Sequence, residues 1–346
     1  MSKRIFASIA ITIGTALPNL LTAQDPPTYA LKKAPNAGGN SYPGPDFVAY
    51  PPTRDSMDRR IDMFMSDWHE SLPRHVHGSL VLRDILFRGD NFAPPERGAV
   101  FQRFNSLSHG MLAPNYSTTP SKLEGQQEVF YILSGKGEVI SNGEKVAIRK
   151  DFAILIPAGV EFVLHNTDDS TLTMYVINEP LPANFQPVKK IVVRNEADKP
   201  PAAPTNSSPY TNPGASGHWA HITRELLTRA DGLASLGRLI TVELAPMTIG
   251  EPHTHEPGHE EIWAAIDGTS LAYLGTQLRV QRPGMAYMLR PDITMTHANI
   301  NYGDTPVKFL WFSASRTSDP GTIVVNQPLV APGGAPTPPA PRKPNN

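Results

Sequence analysis

The sequence predicts an all-β protein built from two tandem copies of one β-unit. Three observations carry that reading. Of 346 residues, 36 are Pro, and no long run repeats apolar residues at helical spacing, which favours short strands joined by turns. Apolar residues alternate in segments such as Val129, Tyr131 and Leu133 against Phe130 and Ile132, as in strands buried on both faces. The chain also repeats itself: Glu128-Val-Phe-Tyr-Ile-Leu-Ser-Gly135 is matched by Glu261-Ile-Trp-Ala-Ala-Ile-Asp-Gly268 at an offset of 133 residues. Asp151 falls opposite Gly284 at the same offset, Pro157 opposite Pro291 at 134, and Phe162 and Asn166 opposite His297 and Asn301 at 135.

The elements follow in order. Lys3 and Arg4 precede an apolar stretch from Ile5 to Leu21, then Thr22, Ala23 and Gln24. This reads as a signal peptide over 1–24 and an exported protein, in the periplasm or outside the cell. Pro18 and Asn19 inside the stretch argue against a membrane anchor, so no membrane association is expected after processing. Residues 25–60 form a Pro/Gly-rich extension. A first domain follows over 61–195, whose start, Ser56 to Leu72, has a helical look with Ile61, Met63, Met65 and Trp68 as buried positions. A Pro-rich linker covers 196–217 and a second domain covers 218–325, with a partly helical stretch expected from His221 to Ala230. Residues 326–346 form a Pro-rich tail of disordered type.

Composition narrows the function. There is no Cys, hence no disulfide and no thiolate metal site. A formal charge of −1 gives no electrostatic footprint for nucleic acid. A transition metal would need His, Asp or Glu, and the second copy has a set of them. His253 and His255 alternate onto one side of an extended segment. Glu261 follows the Pro257-Gly258 turn and opens a strand, and His297 comes from another strand after a separate turn; a small β-barrel would bring the three segments together. Imidazoles with one carboxylate suit Mn, Fe, Zn, Ni or Cu as a divalent ion, and four protein ligands leave positions for water, oxygen or substrate. Glu260 is the rival carboxylate, but strand alternation turns it to the opposite face. His259 shares the parity of Glu261 and is the candidate general base. Trp263 shares it too, and would line the pocket.

These residues resemble the motifs of the cupin superfamily. His253-Thr-His255, Glu261 and Gly268 match its first motif, although Gly250 sits too near His253 to be the leading Gly. Pro291, His297 and Asn301 match its second. The resemblance covers both halves and implies a bicupin: two double-stranded β-helix (jelly-roll) domains, with one divalent metal per chain held by His253, His255, Glu261 and His297. It implies a metalloenzyme of oxygenase or decarboxylase type acting on a small oxygenated organic molecule. A metal-stabilised protein that binds a sugar or other small molecule without turnover, and a sugar or uronate isomerase or lyase, remain open beside it. In the first copy Pro120, Lys122 and Phe162 replace the three imidazoles and only Glu128 survives. That half is expected to lack the metal and to serve packing, homodimer contacts or a second pocket, with an ion pair between Lys122 and Glu128. His75-Val-His77 precedes the repeat and reads as structural or surface.

Overall fold

The computed structural model describes residues 61–201, 221–250, 252–253, 258–290 and 296–314. The signal peptide, the extension up to residue 60, most of the linker and the tail lie outside these residues. So do His255 and Pro291.

The described residues form 22 strands. The first half holds β1 (Met65–Asp67), β2 (Arg74–Val76), β3 (Leu80–Arg88), β4 (Ala99–Phe101), β5 (Ser106–Leu112), β6 (Ser121–Lys122), β7 (Gln126–Ser134), β8 (Lys136–Ser141), β9 (Glu144–Arg149), β10 (Phe152–Ile156), β11 (Glu161–Asn166), β12 (Leu172–Pro180) and β13 (Val192–Asn195). The second holds β14 (His221–Thr228), β15 (Arg238–Leu244), β16 (Thr248–Ile249), β17 (Glu260–Asp267), β18 (Ser270–Leu274), β19 (Gln277–Gln281), β20 (Met285–Met288), β21 (His297–Asn301) and β22 (Val307–Ala314).

The repeat is visible strand by strand. The large sheet of the first half runs β13-β10-β7-β12-β5-β3-β2, and that of the second runs β1-β20-β17-β22-β15-β14. The small sheets run β6-β11-β8-β9 and β16-β21-β18-β19. Each half is therefore a jelly roll, and the two stand in tandem. The small barrel expected from the metal motif is not formed, since no sheet among the described residues closes on itself. The strands placed to bridge the sheets, β6 and β16, are two residues long and pair only within the small sheets.

The same hydrogen bonds recur in both halves. Asn166 Nδ2 donates to the carbonyls of Leu112, Ala113 and Ser170, and Asn301 Nδ2 to those of Leu244, Ala245 and Thr305. These Asn residues staple the end of a small-sheet strand to the large sheet. Asp151 N bonds Ile132 O as Gly284 N bonds Ala265 O, and both residues take a positive φ, 68° and 91°, as the turn requires.

Strands replace helix in parts of two segments expected to be helical: in the first, residues 56–60 lie outside the described residues, Ile61 and Asp62 are helical and Met65–Asp67 is β1, and the second holds β14. β1 pairs with β20, Ser66 opposite Ala286, and fills in the second half the edge that β13 fills in the first. A short isolated helix is marginal in water, whereas this edge offers backbone partners and buries Met65, Ser66 and Asp67. Trp68–Glu70 then form one 3-10 turn. His221–Thr228 pairs along β15, with only a 3-10 turn, Arg229–Asp231, after it. Pairing with a buried neighbour overrides the weak helical preference of either segment.

Odd and even positions of the first large sheet face different cores. Phe130, Ile132, Ile154 and Ile156 fill the interior of the first jelly roll. Val129, Tyr131, Leu155 and Tyr175 face a core shared with the second half, where Phe104 meets Phe312 edge-on at 5.3 Å. Such an aromatic pair adds about 1 kcal/mol beyond its buried area. Polar contacts cross the same seam. Tyr175 Oη donates to Ala265 O. Lys308 Nζ lies 2.8 Å from Asp151 and 2.9 Å from Glu196, so Glu196, expected in the linker, is buried structure.

His109, on β5, is buried in this seam. Its ring stacks on Trp68 at 4.6 Å and meets Tyr175 edge-on. Burial, with His69 nearby, lowers its pKa from 6.5 to about 4. A histidine with a depressed folded pKa stabilises the fold fully above its unfolded value, and that contribution is lost as pH falls. We expect the stability difference between wild type and His109→Phe to be level above pH 6.5. It should shift against wild type by about 3 kcal/mol as pH drops from 6.5 to 4. Urea unfolding of both proteins across that range checks it; a difference independent of pH would show that His109 does not titrate this way.

Candidate metal centre

The site is built on the inner face of the second jelly roll. β17 opens with two glutamates whose side chains part. Glu260 turns into the seam between the halves, where its carboxylate accepts from Gln102 N at 2.8 Å, Arg103 N at 3.1 Å and Asn91 Nδ2 at 3.3 Å. Glu261 turns inward and is 1 % exposed. Two residues on, Trp263 shares its face and donates from Nε1 to Glu261 Oε1 at 2.6 Å.

The imidazoles arrive on a paired backbone. His253 and His297 form an antiparallel bridge, N to O at 3.1 and 2.9 Å in the two directions, which brings their rings to 4.1 Å between centroids. His297 Nε2 lies 3.2 Å from Glu261 Oε1. One ligand atom from each of His253, Glu261 and His297 falls within 4.8 Å of the others, and all three residues are buried. Three of the four expected ligands therefore converge. The fourth, His255, lies outside the described residues.

The donor set fits a divalent metal. His297 Nδ1 lies 3.0 Å from His253 O, an acceptor only, so the proton sits on Nδ1 and Nε2 turns its lone pair to the carboxylate. Two acceptors facing each other at that distance repel unless a cation, or a second proton on His297, lies between them. Orientation of a ligand imidazole by a backbone carbonyl is the usual outer support of a metal site.

The remaining wall is polar and aromatic. His259 Nε2 is 3.5 Å from Glu261 Oε2 and the ring is 13 % exposed, so it stands beside the carboxylate, toward solvent. Tyr287, opposite Trp263 in register, donates to Asn299 Oδ1 at 3.0 Å. Burial and the charge of Glu261 hold its phenol well above its usual pKa, so it stays protonated. His221, where a partly helical stretch was expected to begin, is buried behind Trp263, ring to ring at 5.5 Å. A Cβ on Gly250 would come within 2.7 Å of His221 Nε2. That contact accounts for a glycine at 250, out of step with the motif. Asn301 staples backbone and is not a ligand.

The first half differs at the equivalent place. Phe162 stands where His297 stands, 6.1 Å from Phe130, the counterpart of Trp263. Glu128 does not pair with Lys122, which is exposed; it pairs with His77, Nε2 to Oε2 at 3.0 Å. Sequence reading missed His77. Its only local signal was the His77-Gly78 turn, which aims the ring back at the sheet.

Residues 108–178 match the family model of the cupin domain. This segment is similar to a cupin domain. The match runs from β5 into β12, so it lies in the half without the triad. An uncharacterised protein of Streptomyces coelicolor is 27 % identical over 81 residues, 23 % of this chain and 77 % of that protein. Solved structures share the fold at low identity. A Pseudomonas aeruginosa protein whose name refers to glyoxylate induction aligns with TM-score 0.55 at 16 % identity, over 69 % of this chain and 83 % of its own. Hazelnut (Corylus avellana) vicilin aligns with TM-score 0.52 at 12 %, over 73 % and 85 %. A variant of Bacillus subtilis oxalate decarboxylase aligns with TM-score 0.51 at 12 %, over 73 % and 79 %. A vicilin and a decarboxylase variant both align with this fold, so function must be argued from the site.

Proposed function

We propose that the chain is an exported bicupin whose second half alone holds one divalent transition metal. His253, His255, Glu261 and His297 are its ligands, and the centre acts on a small oxygenated organic molecule by oxygenase- or decarboxylase-type chemistry. The convergence of two buried imidazoles and a buried carboxylate within 4.8 Å carries the reading. When bound, a divalent metal supplies Lewis acidity or oxygen activation. The chain's own residues do the rest. Trp263 fixes one carboxylate oxygen, Tyr287 presents a protonated phenol to the inner wall, and His259 is the group placed to carry a proton between Glu261 and solvent. The reaction class follows the cupin resemblance; the enzyme reading follows the site. Metal-loaded protein offered hydroxy acids, dicarbonyls, catechols and uronates should consume oxygen, release carbon dioxide or isomerise at least one, and Glu261→Ala should abolish that turnover.

The near-complete burial of the ligands favours one other reading, a metal that stabilises a binding protein without turnover. Water-proton relaxation by the Mn(II)-loaded protein separates the two: enhanced relaxation marks an open coordination position, and none marks a closed site.

Trp263 acts on the metal through Glu261. Outer-sphere hydrogen bonds of this kind are worth roughly 10- to 100-fold in metal affinity. We expect Trp263→Phe to weaken Co(II) binding by at least about tenfold, measured by competition with a chelator. Unchanged affinity would remove Trp263 from the site.

A further inference from the structure

We propose that the first half carries a second, metal-independent site that takes a neutral, hydroxyl-rich molecule of monosaccharide size. A cavity of about 350 Å³ opens in the first jelly roll, within the range of small-molecule sites. Arg74, His77, Asp84, Asn105, Glu128 and Asn178 supply most of its polar wall. The charged groups already have partners. Arg74 holds Asp84 through Nε at 3.2 Å and Nη2 at 2.9 Å, and His77 Nε2 lies within hydrogen-bond distance of Glu128 Oε2, at 3.0 Å. The amides form a relay: Asn178 donates to Glu128 Oε1 at 3.1 Å and accepts from Asn105 at 2.7 Å, and Asn105 accepts from Arg88. An anion or cation entering this cavity would have to displace one of these partners. A neutral polyol meets alternating donors and acceptors, with Val76 and Leu123 for its C–H face.

The site is built rather than left over. His77 takes φ 48° and Gly78 φ 80°, two successive left-handed residues in the three-residue connection between β2 and β3. Asn and Gly are the usual choice there, and a bulkier residue is held at a cost. Thr119 N donates to His77 O at 2.9 Å and anchors the turn, which sends the imidazole across 51 residues of sequence to Glu128. Phe162 meets the His77 ring edge-on at 5.0 Å. One imidazole and one carboxylate beside a phenyl ring cannot make a metal site, so recognition must rest on hydrogen bonds and shape.

Saturation-transfer NMR on the full chain tests this, with D-glucose, D-galactose, myo-inositol and sorbitol as probes and acetate and methylammonium as charged controls. We expect transfer to at least one neutral probe, undiminished by EDTA and in Glu261→Ala. Asn178→Ala, which removes the relay, should weaken that binding roughly tenfold or more. Val76→Trp, which fills the cavity and leaves the polar network in place, should abolish it while the spectrum stays that of a folded protein. No transfer to any neutral probe, stronger transfer to a charged control, loss on metal removal, or binding that survives Val76→Trp would each overturn the proposal.

Discussion

His297→Ala is expected to lose the metal. The residue supplies one of three described ligand atoms, and its ring stands 3.2 Å from the carboxylate that shares the ion. Outer-sphere contacts alone are worth up to roughly 100-fold in affinity, so a ligand should cost at least that. Metal bound only by the folded state adds about 2.7 kcal/mol at a hundredfold excess over Kd. The substitution also breaks the contact from Nδ1 to His253 O, so a lower melting temperature alone would not identify the cause. The chelator response does. EDTA should lower the melting temperature of the wild type and leave that of His297→Ala unmoved, with metal content falling in parallel. A variant that keeps its metal and its EDTA response removes His297 from the ligand set.

Glu260→Ala is expected to be the most destabilising change away from the metal. Its carboxylate gathers two backbone N–H groups and one amide from the first half in a buried seam. Truncation leaves three donors unsatisfied at about 1–3 kcal/mol each, offset in part by no longer burying the carboxylate. A net loss of about 4 kcal/mol in urea unfolding follows, with Glu260→Gln milder because one acceptor remains. The mirror contact strengthens the case. Glu179, on β12, accepts from Ala234 N and Leu236 N, in the loop of the second half that corresponds to residues 102–104, and from Gln127 Nε2 of its own half. Each half thus grips the other's equivalent loop with a buried glutamate. A loss under about 1 kcal/mol for Glu260→Ala would mean that water replaces the clamp.

What the sequence made legible was what the repeat and the motif encode locally. The strand alternation around Val129 and Phe130, the pairing of Asn166 with Asn301, and the inward and outward turns of Glu261 and Glu260 all follow from period and register. What it hid depends on distant partners. β1 reads as helix because its partner, β20, lies more than 200 residues away, and the helical look holds only at Ile61 and Asp62 just before it. His77 lies before the repeat and reaches Glu128 only once the hairpin has turned. The family resemblance already implied the jelly roll of each half; what stayed hidden was whether the sheets close into a barrel, since nothing local records whether sheet edges meet.

Anomalous diffraction from crystals of the full chain loaded with Co(II) tests the central claim most directly. The account requires one strong peak per chain, within bonding distance of His253, Glu261 and His297, and none beside Glu128. A peak at Glu128 and His77, or a loaded protein with no peak among the three second-half ligands, would contradict it.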